Sequence, residues 1–246
     1  MKQGHIGFNI EKRSFKNDIY QMLEKLQNHQ IFSFSKFADG EWLVIENKNI
    51  NNSEFWFDND KDSDYRKRLI DAFQYKNDRY HVGVSCPCCQ NNEIHKAMKD
   101  FSGQKEEMLT WANIWVNSNY GIFLNEILPT FTKYEVYLIA NENSKIENLP
   151  FQIKRFYPIS NNAWVHNQYL IETIKKDIDE HSIKNALFLF CCGPFGNILC
   201  HELTDYNDKN TFLDIGSTLN PFFETGFYRG YYRDYVAMQD CLWGKI

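Results

Sequence analysis

Positions 186–215 read ALFLFCCGPFGNILCHELTDYNDKNTFLDI. The apolar run from Ala186 to Cys191 has the length and composition of a strand buried on both faces. It stops at a glycine turn, Cys192-Gly193-Pro194-Phe195-Gly196-Asn197, after which Ile198 to Tyr206 can be helical. Thr211 to Ile215 then reads as a further strand, carrying Asp214 just before Gly216. Strand, glycine turn, helix, strand is the unit from which parallel sheets are built, because parallel neighbours need a long crossover.

The rest of the chain repeats this alternation. Ile19, Met22, Leu23 and Leu26 recur at helical spacing behind Ser14, a plausible N-cap, and Ile31 to Ser35 reads as a strand. That strand runs into Lys36-Phe37-Ala38-Asp39-Gly40-Glu41-Trp42, and Leu43, Val44 and Ile45 suggest a new helix. Further helices are expected at Tyr65 to Tyr75, Asn92 to Phe101, around Asn117 to Phe131, and within Trp164 to Ile183. Further strands are expected at Arg79 to Ser85, Glu135 to Ala140 and Phe151 to Tyr157. Asn47 to Asp64 is dense in Asn and Asp and reads as a surface loop. The expected fold is α/β and Rossmann-like, a mostly parallel sheet with helices on both faces, formed by one domain over residues 1–246. Such sheets bind ligands beyond the carboxyl ends of their strands, so the informative loops should gather there.

Composition excludes several classes. With 246 residues, 43% of them hydrophobic and 24% charged, the chain is neither collagen, coiled coil nor wholesale disorder. A net charge of −5 gives no general attraction to a phosphate backbone, so bulk nucleic-acid binding is not expected. No apolar run approaches the roughly 20 residues of a spanning helix. The start MKQGHIGFNIEKR lacks the apolar core of a signal peptide, and a cytoplasmic location is expected. The seven cysteines form no evenly spaced framework. Cys86, Cys88 and Cys89 with His81 or His95 offer no second well-spaced pair for a knuckle, so reduced, structural cysteines and no zinc are expected.

Asp39-Gly40-Glu41 is the first candidate site, because carboxylates flanking a small residue can face a hard cation shared with phosphate oxygens and water. The pair follows a strand and opens a helix, where anionic groups are favoured. The turn from Cys192 to Asn197 is the second. Its glycines allow close backbone approach to a phosphate or ribose, although Pro194 supplies no donor and the turn is not GxGxxG. Asp214 could orient a ribose, bind the metal or serve as base. His201, one helical turn past the glycines, and the aromatics Phe37 and Trp42 complete the candidates.

Taken together, KFADGEW at 36–42, NAWVHNQYLIETI at 162–174, FCCGPFGNILCHEL at 190–203 and FLDIGS at 212–217 resemble the GT-D-fold glycosyltransferases, formerly a domain of unknown function. The order and spacing match over most of the chain. The resemblance implies a metal-dependent transfer of sugar from a nucleotide-sugar donor, with a UDP-sugar the first expectation, to a glycan or glycoconjugate acceptor. It implies a divalent cofactor, Mn²⁺ or Mg²⁺, on Asp39 and Glu41, which match the family's Asp-x-Glu motif. Lys36, Phe37, Gly40, Gly193, Pro194, Gly196, Asn197 and His201 would then belong to the donor site, and Asp214 would be the catalytic candidate. Lys36 and Ala38 stand where the family often has Arg and Gly, and Ser217-Thr218-Leu219 replaces its usual His and acidic residues after Asp-Ile-Gly. A non-catalytic nucleotide-sugar or glycan-binding module of the same fold is the alternative. A methyltransferase would place its glycine turn after the first strand, whereas here it comes late.

Overall fold

Phe188 and Phe190 face one layer of apolar side chains while Leu187 and Leu189 of the same strand face another. This alternation, repeated along the neighbouring strands, makes a sheet with a core on each side. The computed structural model describes residues 6–226 and 229–244. Its main sheet has seven strands in the order β5-β4-β1-β9-β8-β6-β7, every pairing parallel. The strands are β1 (Ser33–Lys36), β4 (Tyr80–Val84), β5 (Leu109–Trp111), β6 (Val136–Asn141), β7 (Ile153–Ile159), β8 (Leu187–Phe190) and β9 (Thr211–Asp214). A small antiparallel hairpin joins β2 (Ile50–Asn51) to β3 (Trp56–Phe57). The α/β, parallel-sheet reading is therefore borne out. β7, at the edge, alternates partly exposed and buried residues and accommodates Pro158, as an edge strand can.

One face carries α2 (Asp39–Ile45), α3 (Ser63–Gln74), α4 (Asn92–Ser102), α5 (Tyr169–Glu180) and α6 (Pro194–Tyr206). The other carries α1 (Phe15–Gln27), whose N-cap Ser14 accepts from the Asn17 amide, and the segment from residue 117 to 133. That segment was expected to be one helix. It is helical throughout but irregular, passing from a 3-10 start into a π-helical stretch at Phe123–Ile127, just ahead of Pro129, which has no N–H to continue an α ladder. Sequence periodicity also missed β5, three residues long, and the hairpin inside the Asn-rich stretch.

Candidate active site

The carboxyl ends of β1, β6, β7, β8 and β9 open into one cleft of about 310 Å³. Lys36 ends β1, and Asp39 and Glu41 lie in the first turn of α2, the helix that follows it. Asp39 is exposed, and its carboxylate makes no hydrogen bond or salt bridge among the described residues, though its charge reaches Lys36. Glu41 is only 6% exposed and its Oε2 accepts from the Ala38 amide at 2.9 Å, which caps α2 and leaves Oε1 uncommitted. The Asp-x-Glu pair thus lines the cleft, with one member at its mouth and the other in its wall.

Asp214 sits elsewhere than expected for a reacting group. It is 3% exposed and is not among the residues lining the cleft. Its Oδ1 accepts from the Gly216 amide at 3.0 Å and its Oδ2 from the Lys36 amide at 3.3 Å, so it binds the ends of β1 and β9 together. Burial raises its proton affinity, Lys36 opposes this, and Glu41 adds to it; the carboxyl is pushed up to about 7. Burial alone would lower the Lys36 ammonium, but Glu41, then Asp214, Tyr231 and Asp39 outweigh it and the net direction is upward. Lys36 is therefore charged at neutral pH. Its stem rests against Gly216, where a Cβ would lie 3.5 Å from Cε and Nζ.

The glycine turn is present at the cleft through Gly193, with φ 55° and ψ −143°, a conformation that glycine alone adopts without strain. The Gly196 amide donates back to the Gly193 carbonyl at 2.8 Å, so the turn offers fewer free amides than expected. Gly196 itself admits Asp214, whose Cγ would be 3.3 Å from an added Cβ. Pro194 and Asn197 are buried, and Asn197 spends its amide on Ser35 Oγ and the Lys36 carbonyl, at 3.0 and 2.7 Å. His201 packs on Tyr75, ring centres 4.5 Å apart, away from the cleft. Phe37 is fully buried against Phe73, and Trp42 packs between Phe73 and Phe101. The core claims these aromatics, so neither Phe37, expected in the donor site, nor the candidate Trp42 lines the cleft.

An aromatic does reach the site, but from the stretch read as a surface loop. Phe55, in the hairpin turn, sits over both glycine motifs: a Cβ on Gly40 would come within 2.9 Å of its ring, and one on Gly193 within 3.6 Å. Gly40 thus makes room for Phe55 more than for a cation. Asn162, in the left-handed conformation at φ 53°, fixes the hairpin by accepting from the Trp56 amide and donating its own amide to the Glu54 carbonyl, both at 3.0 Å. Asn141, Ser144, Ser160, Asn161 and Asn220 line the same cleft with neutral amides and hydroxyls. Arg229 pairs with Glu54 at 2.7 Å, and Tyr231 shares a hydrogen bond with Ser217 at 2.8 Å, so the C-terminal segment closes one side. Isolated Asn and Ser carry no sequence signal, which is why spacing did not find them.

No family model matches the sequence, and no curated protein does. The fold is shared with solved structures. A structure described as a new glycosyltransferase of the domain of unknown function 1792, from Streptococcus sanguinis, superposes with TM-score 0.57 at 15% identity, covering 89% of this chain and 90% of that one. A selenomethionine form of that domain gives TM-score 0.59 at 15% identity over 85% of this chain and 80% of the other. A third structure, described as showing that this highly conserved domain has a distinct glycosyltransferase fold, gives 0.57 at 15% identity, with 85% and 80% covered. At this identity the likeness establishes the architecture: a seven-stranded parallel sheet flanked by helices.

Proposed function

We propose that the chain is a metal-dependent glycosyltransferase that takes a nucleotide sugar, a UDP-sugar first, and passes the sugar to a glycan or glycoconjugate acceptor. The observation that carries this reading is that one cleft combines two chemistries: Lys36, Asp39 and Glu41 at the end of β1 and the start of α2, and the neutral amides and hydroxyls of Asn141, Ser144, Ser160 and Asn161 at and beyond the ends of β6 and β7. Amides and hydroxyls both donate and accept, as sugar hydroxyls require. The fold supports the reading, since the matched structures are described as glycosyltransferases.

The carboxylates fit a hard divalent cation. The Asp39 carboxylate makes no hydrogen bond or salt bridge among the described residues, Glu41 keeps Oε1, and both carboxylates line the same cleft. Oxygen donors of this kind suit Mg²⁺ or Mn²⁺. Asp39 and Glu41 would hold the ion, which supplies positive charge to the departing diphosphate. Lys36 adds a fixed ammonium beside it. Asp214 acts as a positioning residue, holding the Lys36 backbone and the Gly216 turn in place. Phe55 covers the glycines and excludes water from that end of the cleft.

A thermal-shift panel of nucleotide sugars, with and without Mn²⁺ or Mg²⁺, followed by measurement of nucleotide release, tests the proposal. A cation-dependent shift with one nucleotide sugar, and release of its nucleotide, is expected. Binding without release under any acceptor condition would identify a non-catalytic nucleotide-sugar module instead; no shift with any nucleotide sugar would remove both of these readings and leave a glycan-binding module.

A further inference from the structure

Cys86-Pro87-Cys88-Cys89 follows β4, and on spacing alone it offers three thiols, two of them adjacent. The fold brings a fourth. The Sγ atoms of Cys86, Cys88, Cys89 and Cys241 all lie within 4.8 Å of one another. The first three are gathered by a tight turn in which the Cys89 and Gln90 amides both donate to the Cys86 carbonyl at 3.1 Å. Cys241 arrives, buried, on the C-terminal segment. The ligand that spacing did not supply is Cys241, and the adjacent Cys88 and Cys89 both bring their sulfur into the cluster.

Nitrogen donors converge on these sulfurs. The Leu242 amide donates to Cys88 Sγ at 3.5 Å, Asn113 Nδ2 to Cys89 Sγ at 3.3 Å, and Asn117 Nδ2 to Cys241 Sγ at 3.3 Å. Donors aimed at sulfur favour the thiolate over the thiol, as the outer shell of a thiolate metal centre does. Four sulfurs bound to one zinc at about 2.3 Å stand roughly 3.8 Å apart, within the spread seen here. Thiolates select a soft or borderline ion, so this cluster and the carboxylate cleft would not compete for the same metal.

We propose that Cys86, Cys88, Cys89 and Cys241 form a structural zinc site that fastens the C-terminal segment to the carboxyl end of β4. Binding replaces four S–H bonds by four Zn–S bonds and releases the thiol protons to solvent. The segment so fastened is the one that carries Arg229 to the cleft and sets Tyr231 against Ser217 in its lining. The inference stands on the sulfur geometry and is independent of the glycosyltransferase reading.

Metal analysis of the full chain, purified under reducing conditions, should find about one zinc per chain, the stoichiometry of a four-thiolate site. Asp39→Asn/Glu41→Gln should retain it, and Cys89→Ser or Cys241→Ser should lose it. Because a cysteine variant can fail for want of folding, the wild type stripped by chelator and reloaded with Co²⁺ is the second measurement. It should develop sulfur-to-cobalt charge-transfer bands and the intense visible bands of tetrahedral cobalt, and regain the Tm lost on stripping. Wild-type protein without zinc and without that cobalt spectrum would overturn the proposal. So would disulfides among these four cysteines in non-reducing mass spectrometry, or zinc content unchanged in Cys241→Ser.

Discussion

Glu41 serves the fold with one oxygen and keeps the other free, a division that sets what substitution should reveal. Glu41→Gln retains an acceptor for the Ala38 amide and loses only the charge, so its Tm should stay close to wild type. Its cation-dependent affinity for a nucleotide sugar should fall about tenfold or more, as should that of Asp39→Asn, on the scale of losing a charged group from a metal site. Unchanged affinity in both, read by calorimetry, would remove the metal assignment. Asp214 makes a pH prediction. Its folded-state value of about 7 lies above the ordinary 3.8, so the native chain holds a proton that the unfolded chain gives up. That contribution to stability is full below pH 4 and is lost as pH rises through about 7. Asp214→Asn has no such loss. Its Tm relative to wild type should therefore rise by about 5 °C or more between pH 4 and 8, and a constant difference across that range would contradict the assignment.

At the scale of elements, the site depends on how closely the β2–β3 hairpin approaches the two glycine turns. Gly40→Ala forces a methyl against the Phe55 ring, an overpacking worth about 1–3 kcal/mol in urea denaturation. Gly193→Val adds a backbone strain of about 1–3 kcal/mol and should also weaken donor binding, because it narrows the space under Phe55. Phe55→Ala should leave the sheet intact and weaken donor binding; a variant with wild-type affinity would show that the hairpin is only a cover. None of this was legible in the sequence. The hairpin strands are two residues each, too short for a period-2 pattern, and what fixes them is Asn162, far along the chain and in a left-handed conformation. Longer elements declared themselves: β8, α6 and β9 follow the apolar run, glycine turn and helical spacing closely because burial on both faces makes β8 wholly apolar and confines the polar residues of β9 to its ends, Thr211 and Asp214. Aromatic residues misled for a related reason. Phe37 and Trp42 flank the Asp-x-Glu motif in sequence, but the first turn of a helix presents successive side chains to different sides, and the core takes the large apolar ones.

For the whole molecule, class and layer order were legible, because alternating strands and helices admit few arrangements. The pairing of β1 with β9 was not, since no local pattern records which strands meet across the chain. Nor was the approach of Cys241 to the CPCC turn, which needs the complete tertiary path. The β1–β9 pairing also has a kinetic side. β1, β4 and β5 form one contiguous run of chain on one flank, while β6 to β9 form the other. Either flank can gather on its own, but Ser33 meets Phe212 and Phe34 meets Leu213 only once about 180 further residues have been made. A nascent chain emerging from the ribosome therefore carries β1 with one unpaired edge until β9 arrives, and Lys36, Asp39 and Gly193 have no common cleft before then. Ligand binding in this architecture is thus gained only after β9 has been made, and the open β1 edge is the place where a chain stalled before that point is most exposed to pairing with another copy.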